Sequence, residues 1–250
     1  MTIQKIAALL ESCASDSPKF PPTLLYNEGW LLRLALEWFS AHRLPGHPFA
    51  CAENARWFSE ALLPSPFLSL HHGDPLAEAS THADGVVGHF KIGDPSKTGL
   101  ALLPHATQLV VLEAKLFSQL SAGVKNAGYF DQAARIVACI AEVLCRADRP
   151  AFQMTHLGFY VVVPQSQIEK GIFAEQISRE SISDKVAKRV QAYHGAKDTW
   201  YREWFQPVLP SIKMGLISWE EIIAEVQEVD PVSAAGLGDF YQRTIAFNAK

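Results

Sequence analysis

Apolar positions in the first quarter of the chain recur at helical spacing. Residues 2–14 form an amphipathic pattern that predicts a short helix, and the Ser- and Pro-rich stretch 15–22 ends it. A second helix is predicted from Asn27, a suitable N-cap, to about His42. Residues 53–63 predict a third helix, which the following proline ends.

The pattern changes to that of β-strands in the middle of the chain. Residues 83–92, 108–115 and 157–163 are predicted strands, and the second of them is a continuous apolar run typical of a buried central strand. Turn-forming residues fill 93–99, between the first two strands. A long apolar helix is predicted over 129–146, before the third strand.

The last third of the chain is mostly helical in pattern. Four helices are predicted, at 183–194, 197–205, 218–226 and 231–247. Ser218 and Glu221 have the spacing of a capping box at the start of the third of these helices. Strands and helices in this order predict an α/β fold, a small central sheet flanked by helices with an additional helical region over about 165–250. We expect a single domain over residues 1–250.

Composition and charge exclude several classes of protein. Hydrophobic residues make up 48% of the 250 positions and charged residues 19%, which excludes intrinsic disorder as the main state. The formal net charge of -4 excludes a strongly basic nucleic-acid coat, although it leaves room for a local basic groove.

Cysteine spacing and the absence of targeting signals indicate the compartment. None of the four cysteines forms a CxxC pair, so a structural zinc site is not expected. The N-terminal residues lack the pattern of a signal peptide, and no apolar run approaches the roughly 20 residues of a membrane span. We therefore expect a soluble, cytoplasmic protein with reduced thiols and no membrane partner.

An acid and a base lie two residues apart at the end of the second predicted strand. Alternation along the strand places Glu113 and Lys115 on one face, directly after an apolar run. Burying charges is costly, so this pair indicates a function. Asp84 begins the preceding strand, and two carboxylates that converge repel each other unless a divalent cation lies between them. Oxygen ligands of this kind suit Mg²⁺ or Mn²⁺.

The sequence resembles the PD-(D/E)XK nuclease superfamily at these positions. Asp84 followed by Glu113-Ala114-Lys115 matches the family motif, except that alanine stands where the family often has proline before the first acid. The resemblance covers roughly residues 27–163 and implies a restriction-endonuclease-like core with a mixed central sheet. It also implies metal-dependent hydrolysis of phosphodiester bonds in nucleic acid, with DNA as the expected substrate.

The resemblance also assigns roles to the motif residues. Asp84, Glu113 and the backbone carbonyl of Ala114 would bind Mg²⁺ or Mn²⁺. Lys115 would orient the attacking water or stabilise the transition state. Glu28, which opens the second predicted helix, resembles the glutamate that family members often have on the preceding helix.

The helix after the motif is expected to contribute a polar side chain to the site. Gln132 is our choice on this helix, and Asp131 and Arg135 are the alternatives.

Each motif residue also has a purely structural interpretation. Glu113 and Lys115 would form an exposed pair on an edge strand, and Asp84 would be a turn residue at a strand entry.

Other acids and histidines offer competing sites. Asp74 and Asp94 are alternative first acids, and each is followed by proline in a loop or turn. The histidines at positions 71, 72 and 82 suggest a transition-metal site, but their spacing matches no zinc signature, and a polar loop is the simpler interpretation.

Basic and aromatic residues alternate over 185–202. This composition is typical of surfaces that bind a nucleic-acid backbone and stack on bases, and equally of an amphipathic helix with solvated lysines. We expect the nucleic acid to contact four residues of this segment, Lys188, Arg189, Lys197 and Arg202.

The sequence leaves open a homodimer. It also leaves open a catalytically inactive nuclease-like fold that acts as a binding or scaffold protein, and an unrelated α/β protein with an accidental Glu-x-Lys.

Overall fold

A five-stranded mixed sheet runs through the centre of the molecule. The strands are β1 (Arg56–Leu63), β2 (Thr81–Gly88), β3 (Phe90–Ile92), β4 (Leu100–Leu102), β5 (Gln108–Ala114), β6 (His156–Val163) and β7 (Lys213–Ser218). The central sheet has the order β1-β2-β5-β6-β7, and β3 and β4 form a separate two-stranded ribbon. β1, β2 and β5 pair antiparallel, whereas β5, β6 and β7 pair parallel.

Helices cover both faces of this sheet. They are α1 (Thr2–Glu11), α2 (Glu28–His42), α3 (Gln132–Arg146), α4 (Gln165–Glu169), α5 (Arg179–Gln191), α6 (Asp198–Trp200), α7 (Gln206–Ser211), α8 (Trp219–Val229) and α9 (Pro231–Asn248), with a π-helical turn at Tyr201–Phe205. The computed structural model describes residues 2–15, 19–42, 44–69, 74–78, 80–93, 96–123 and 127–249. The predicted α/β class, with a helical C-terminal region, is confirmed.

Two hydrophobic cores lie on opposite faces of the sheet. Alternate residues of β5 divide between them: Leu109 and Val111 pack towards α3 and α5. Val110 and Leu112 pack towards α2, α8 and α9. The continuous apolar run in β5 is therefore explained by burial on both faces, as expected for a central strand.

The capping residues expected from the sequence lie at the starts of α2 and α8. The Asn27 side chain accepts a hydrogen bond from the Trp30 backbone N–H at 3.0 Å. The predicted capping box is confirmed, because Ser218 and Glu221 each bond the other's backbone N–H, at 3.0 and 2.8 Å. These bonds satisfy donors that the first helical turn leaves unpaired.

The helix predicted over residues 53–63 is wrong. Residues 56–63 form β1, an edge strand that pairs with β2. Glu60 has a φ of 57°, a left-handed conformation that interrupts the ladder at the position opposite Asp84. Tertiary pairing along the open edge of β2 outweighs the weak local helical pattern here.

A second difference is a strand that the sequence did not predict. β7 comes from the region expected to be helical, yet it pairs in parallel with β6 and extends the central sheet. The sheet therefore does not end at residue 163, the expected end of the core. The C-terminal helices α8 and α9 follow β7 and complete the α2-side core.

The strand predicted over 83–92 is divided in two by a bend. Gly88 has a φ of 154°, and a Cβ at this position would lie 2.2 Å from the Gln108 carbonyl oxygen. His89 then leaves the ladder, and its Nε2 lies 2.8 Å from the Glu53 carbonyl oxygen. This close approach of β2 to β5 requires glycine.

Two further findings concern the cysteines and the helices of the described residues. All four cysteines are thiols rather than disulfides. No helix in the described part of the chain is long and apolar enough to cross a membrane. The cytoplasmic location stays a prediction.

Candidate active site

Asp84 and Glu113 face each other across two neighbouring strands. The antiparallel register of β2 and β5 pairs Gly85 with Leu112, and one step further it places Asp84 opposite Glu113. Asp84 Oδ2 accepts a hydrogen bond from the backbone N–H of Ala114 at 2.8 Å. The structure therefore brings together three of the predicted site residues at the end of β5.

Glu113 has two chemically different carboxylate oxygens. The residue is only 1% exposed. Its Oε1 accepts hydrogen bonds from Lys115 Nζ and Gln132 Nε2, each at 2.5 Å. Its Oε2 is buried and has no hydrogen-bond donor among the described residues. Because a buried oxygen without a donor is costly, Oε2 is the atom that a cation would stabilise.

The pKa values of Glu113 and Lys115 are both shifted by their surroundings. Burial, and after it the charge of Asp84, raises the pKa of Glu113 to about 8 against the opposing effect of Lys115. Burial by itself would lower the pKa of the Lys115 ammonium, but nearby carboxylates, Glu113 foremost, raise it above its ordinary value. Like charges held together in a poorly solvated place are typical of functional sites.

The N-terminus of α3 fixes the orientation of Gln132. Asp131 caps the helix by accepting a hydrogen bond from the Ala134 backbone N–H at 3.0 Å. Gln132 Oε1 accepts a hydrogen bond from the Ser121 backbone N–H at 3.1 Å, and the Gln132 backbone N–H donates to the Ser121 carbonyl at 3.0 Å. Since its carbonyl side is occupied, Gln132 presents its NH₂ group to Glu113. Gln132 is thus a positioning residue.

Glu28 occupies the outer part of the site. It is the first residue of α2 and lines a cleft of about 590 Å³ together with the chain that follows Lys115. The charge of Glu28 raises the pKa of Lys115. Glu28 is not among the described groups that act on Glu113. Phe117, in the wall of the same cleft, is 46% exposed.

The two alternatives to Gln132 point elsewhere. Asp131 Oδ2 accepts a hydrogen bond from Lys185 Nζ at 2.7 Å. Arg135 acts on Glu78 instead. Burial raises the pKa of Glu78, and the charge of Arg135 partly opposes that rise. Only Gln132 on this helix reaches Glu113.

The competing acids and histidines do not form a second centre in the described residues. Asp74 Oδ1 accepts a hydrogen bond from the Leu76 backbone N–H at 2.9 Å, which is the contact of a local turn. His82 is exposed, and its Nδ1 lies 3.4 Å from the Glu60 carbonyl oxygen. The other members of that proposal, Asp94 and the histidines at 71 and 72, lie outside the described residues.

The donor set of the site suits Mg²⁺ or Mn²⁺. Within the described ranges, no group of three or more His, Cys, Asp and Glu side chains is arranged around one point. Asp84, Glu113 and the nearby carbonyl of Ala114 are a sparser set of oxygens, and Mg²⁺ commonly keeps several waters. The unpartnered Glu113 Oε2 and the repulsion from Asp84 both fit a cation at this position.

Lys188 lies at the rim of the site. It is exposed, and its Nζ lies 4.2 Å from the centre of the Tyr129 ring, three residues before Gln132. Lys185, one turn earlier on α5, is paired with the cap of α3. This edge of α5 is therefore held beside the helix end that carries Gln132.

Arg189 does not face solvent, which corrects the expectation that it binds nucleic acid. It is 1% exposed, its guanidinium donates to the Leu76 carbonyl, and it packs over the rings of Phe67, Phe130 and Tyr193. Successive residues of a helix point about 100° apart, so Arg189 lies on the buried side of α5 whereas its neighbour Lys188 is exposed.

Lys197 and Arg202 lie beyond the C-terminal end of α5. Lys197 Nζ lies 5.8 Å from the centre of the Tyr193 ring, and Arg202 is exposed beside Glu203 at 3.6 Å. They are available at the surface but have no described contact with the residues around Glu113.

The structure adds polar residues that sequence reasoning missed. Arg33 on α2 donates to Ser59 Oγ at 2.9 Å and to Glu60 Oε1 at 3.2 Å, on the strand next to Asp84. It also lies 5.1 Å from the centre of the exposed Trp30 ring. They were missed because the sequence predicted a helix where β1 lies. The pairing of β1 with β2 is what brings Ser59 and Glu60 next to Asp84.

Comparisons with protein-family models, with curated proteins and with solved structures found no match for this chain.

Proposed function

We propose that this protein is a metal-dependent nuclease that hydrolyses phosphodiester bonds in nucleic acid, DNA being the expected substrate. The observation that carries the proposal is the placement of Asp84 opposite Glu113, with Lys115 Nζ 2.5 Å from Glu113 Oε1. The mixed sheet between helices supports a restriction-endonuclease-like core, a finer assignment that belongs to the same proposal.

Each residue at the site has a role in this proposal. Asp84, Glu113 and the Ala114 carbonyl would hold Mg²⁺ or Mn²⁺, which would polarise the phosphoryl oxygens and lower the pKa of a bound water. Lys115 places a positive charge beside the reacting phosphate. Gln132 holds the Glu113 carboxylate in place, so that Oε2 faces the site rather than Oε1.

The surroundings support a nucleic-acid substrate. Two cations lie against exposed or half-buried aromatic rings at the edges of the site, Arg33 against Trp30 and Lys188 against Tyr129. Aromatic faces paired with cations suit stacked bases and a phosphate backbone. The net charge of -4 limits the positive surface, so we place the substrate at these edges.

Cleavage of end-labelled oligonucleotides tests the proposal. Single-stranded DNA, duplex DNA and RNA of one sequence are incubated with Mg²⁺ or Mn²⁺, and with EDTA. We expect cleavage of at least one substrate only when metal is present, and a loss of about 100-fold or more in the Lys115→Ala variant. Lys170→Ala, an exposed lysine on another helix end, is the matched control and retains full activity.

Two outcomes would contradict the proposal. Equal cleavage by the Lys115→Ala variant would remove Lys115 from the mechanism. Binding of nucleic acid without metal-dependent cleavage of any substrate would instead support the alternative, a catalytically inactive nuclease-like binding or scaffold protein.

A further inference from the structure

A second cavity lies at the end of the sheet opposite to Glu113. It has a volume of about 310 Å³ and is lined by residues at the starts of β5, β6 and β7 and by the loop after α2. Its sheet side belongs to the face that packs towards α2, because Val110 is in that core. It is therefore separate from the carboxylate site, which lies at the end of β5.

A tyrosine ring forms one wall of this cavity. The Tyr160 ring lies across Gly158 on its own strand and Gly215 on β7. A Cβ at Gly158 would lie 2.7 Å from Tyr160 Cε2, and a Cβ at Gly215 would lie 3.6 Å from the same ring. Two glycines thus let an aromatic ring lie flat on the sheet and line the cavity.

Cationic and polar groups surround that ring. His156, Gly158 and Tyr160 alternate along β6 and share one face of the sheet, and the register pairs Lys213 of β7 with Gly158. Lys213 is exposed and has no ion pair with a carboxylate among the described residues. The ammonium of Lys213, the imidazole of His156 and the hydroxyl of Tyr160 therefore lie on one face of the sheet, around Gly158, which has no side chain.

The opposite wall is held in place before any ligand enters. Gln108 accepts a hydrogen bond from the Ala52 backbone N–H at 2.8 Å and donates to the Ala50 carbonyl at 2.7 Å. His47 stacks on Phe39 with ring centres 4.2 Å apart. A cavity of this kind, with a fixed shape and a few convergent polar groups, is typical of small-ligand sites.

We propose that this cavity binds a small planar organic anion, an aromatic ring that carries a phosphate or a carboxylate. The Tyr160 ring provides the stacking surface, Lys213 provides the positive charge for the anionic group, and a ring nitrogen of His156 provides a further hydrogen-bonding group. The proposal does not depend on nuclease activity, since it uses none of the residues around Glu113.

Calorimetric titration in metal-free buffer with EDTA tests the proposal. The probes are adenosine 5′-monophosphate, adenosine, inorganic phosphate and benzoate. We expect saturable binding of adenosine 5′-monophosphate or benzoate. Adenosine, which has no anionic group, and inorganic phosphate, which has no aromatic ring, should bind more weakly. Binding by the phosphate and not the carboxylate probe, or the reverse, identifies the anionic group.

Matched variants locate the binding. Lys213→Ala should weaken the affinity by about tenfold or more, because a charged hydrogen bond is lost, whereas Lys170→Ala should leave it unchanged. Glu113→Gln should also leave it unchanged. Absence of binding by both anionic aromatic probes would overturn the proposal, as would binding that is insensitive to Lys213→Ala or that depends on Glu113.

Discussion

At the scale of single residues, repulsion between Asp84 and Glu113 is the feature that most distinguishes this site. Replacing Asp84 by Asn removes one of the two charges, so we expect the pKa of Glu113 to fall below about 8. It should stay above the ordinary glutamate value, because burial is unchanged. Carbon-13 NMR titration of the Glu113 carboxyl measures this.

The neighbouring acid Glu60 supplies the control for that titration. Glu60 lies on the next strand but is exposed and bonded to Arg33. Glu60→Gln should leave the pKa of Glu113 unchanged. A Glu113 pKa that does not fall in Asp84→Asn would show that the two carboxylates do not interact.

A second residue-scale prediction concerns His47. Burial lowers the pKa of His47 to about 4, and the neutral ring accepts a hydrogen bond from the Phe49 backbone N–H at 3.1 Å. Because the folded-state pKa lies below the unfolded value near 6.5, this contribution to stability is complete above pH 6.5. It is lost as the pH falls towards 4, since the unfolded chain then binds the proton more readily.

Urea unfolding at pH 7 and pH 4.5 measures the effect. Between these pH values, wild type should lose roughly 2 kcal/mol more unfolding free energy than the His47→Gln variant. Equal losses in the two proteins would show that His47 is protonated without penalty in the folded state.

Part of the candidate site was predictable from residue types alone. Asp84, Glu113 and Lys115 stand out because charges interrupt apolar strands, and the structure places them together. Gln132 was one of three polar candidates near the start of α3, and its contacts with Ser121 and Glu113 select it. The burial of Arg189 was not predictable, since a basic residue on a helix is usually solvated and its apolar partners come from distant segments.

At the scale of elements, the bend between β2 and β3 depends on Gly88. Gly88→Ala should lower the free energy of unfolding by more than about 2 kcal/mol, because the added Cβ would meet the Gln108 carbonyl 2.2 Å away. Gly236→Ala is the control: apart from the adjoining backbone of α9 itself, no described atom lies within 4 Å of its Cβ position.

The control should change stability in the opposite direction. Alanine is a better helix former than glycine, so Gly236→Ala should stabilise the protein by roughly 0.5–1 kcal/mol. Chemical denaturation of both variants measures the difference. Destabilisation of similar size in both would show that the close approach at Gly88 is not the cause.

Elements with strong local signals were predicted, and those defined by pairing were not. α2, α3 and α8 carry capping residues, and β5 and β6 are long apolar runs. β1 and β7 are the edge strands of the sheet, so most of their residues are partly exposed and their patterns are weak. Each becomes a strand because a neighbouring strand offers an open edge.

At the scale of the whole molecule, the C-terminal region is required for the core. Buried side chains of β7, α8 and α9, among them Ile217, Trp219 and Leu237, pack on the α2 side of the sheet. A chain truncated after Pro164 would expose that face. We expect it to lack the cooperative thermal unfolding of the full chain.

The measurement for the truncated chain is circular dichroism during heating. Residues 27–163 were expected to hold the nuclease-like core, so a truncated chain with a full cooperative transition would show that β7 and the following helices are dispensable. Sequence patterns could not decide this, because the parallel pairing of β6 with β7 joins segments 55 positions apart in register, such as Gly158 and Lys213.

Anomalous diffraction from crystals soaked in Mn²⁺ tests the central claim most directly, since it needs no choice of substrate. We predict an anomalous peak bound by Asp84, Glu113 Oε2 and the Ala114 carbonyl, with Lys115 alongside, and no peak in crystals of Asp84→Asn. Wild-type crystals with the two carboxylates in place and no peak between them would contradict the assignment of a metal-dependent nuclease.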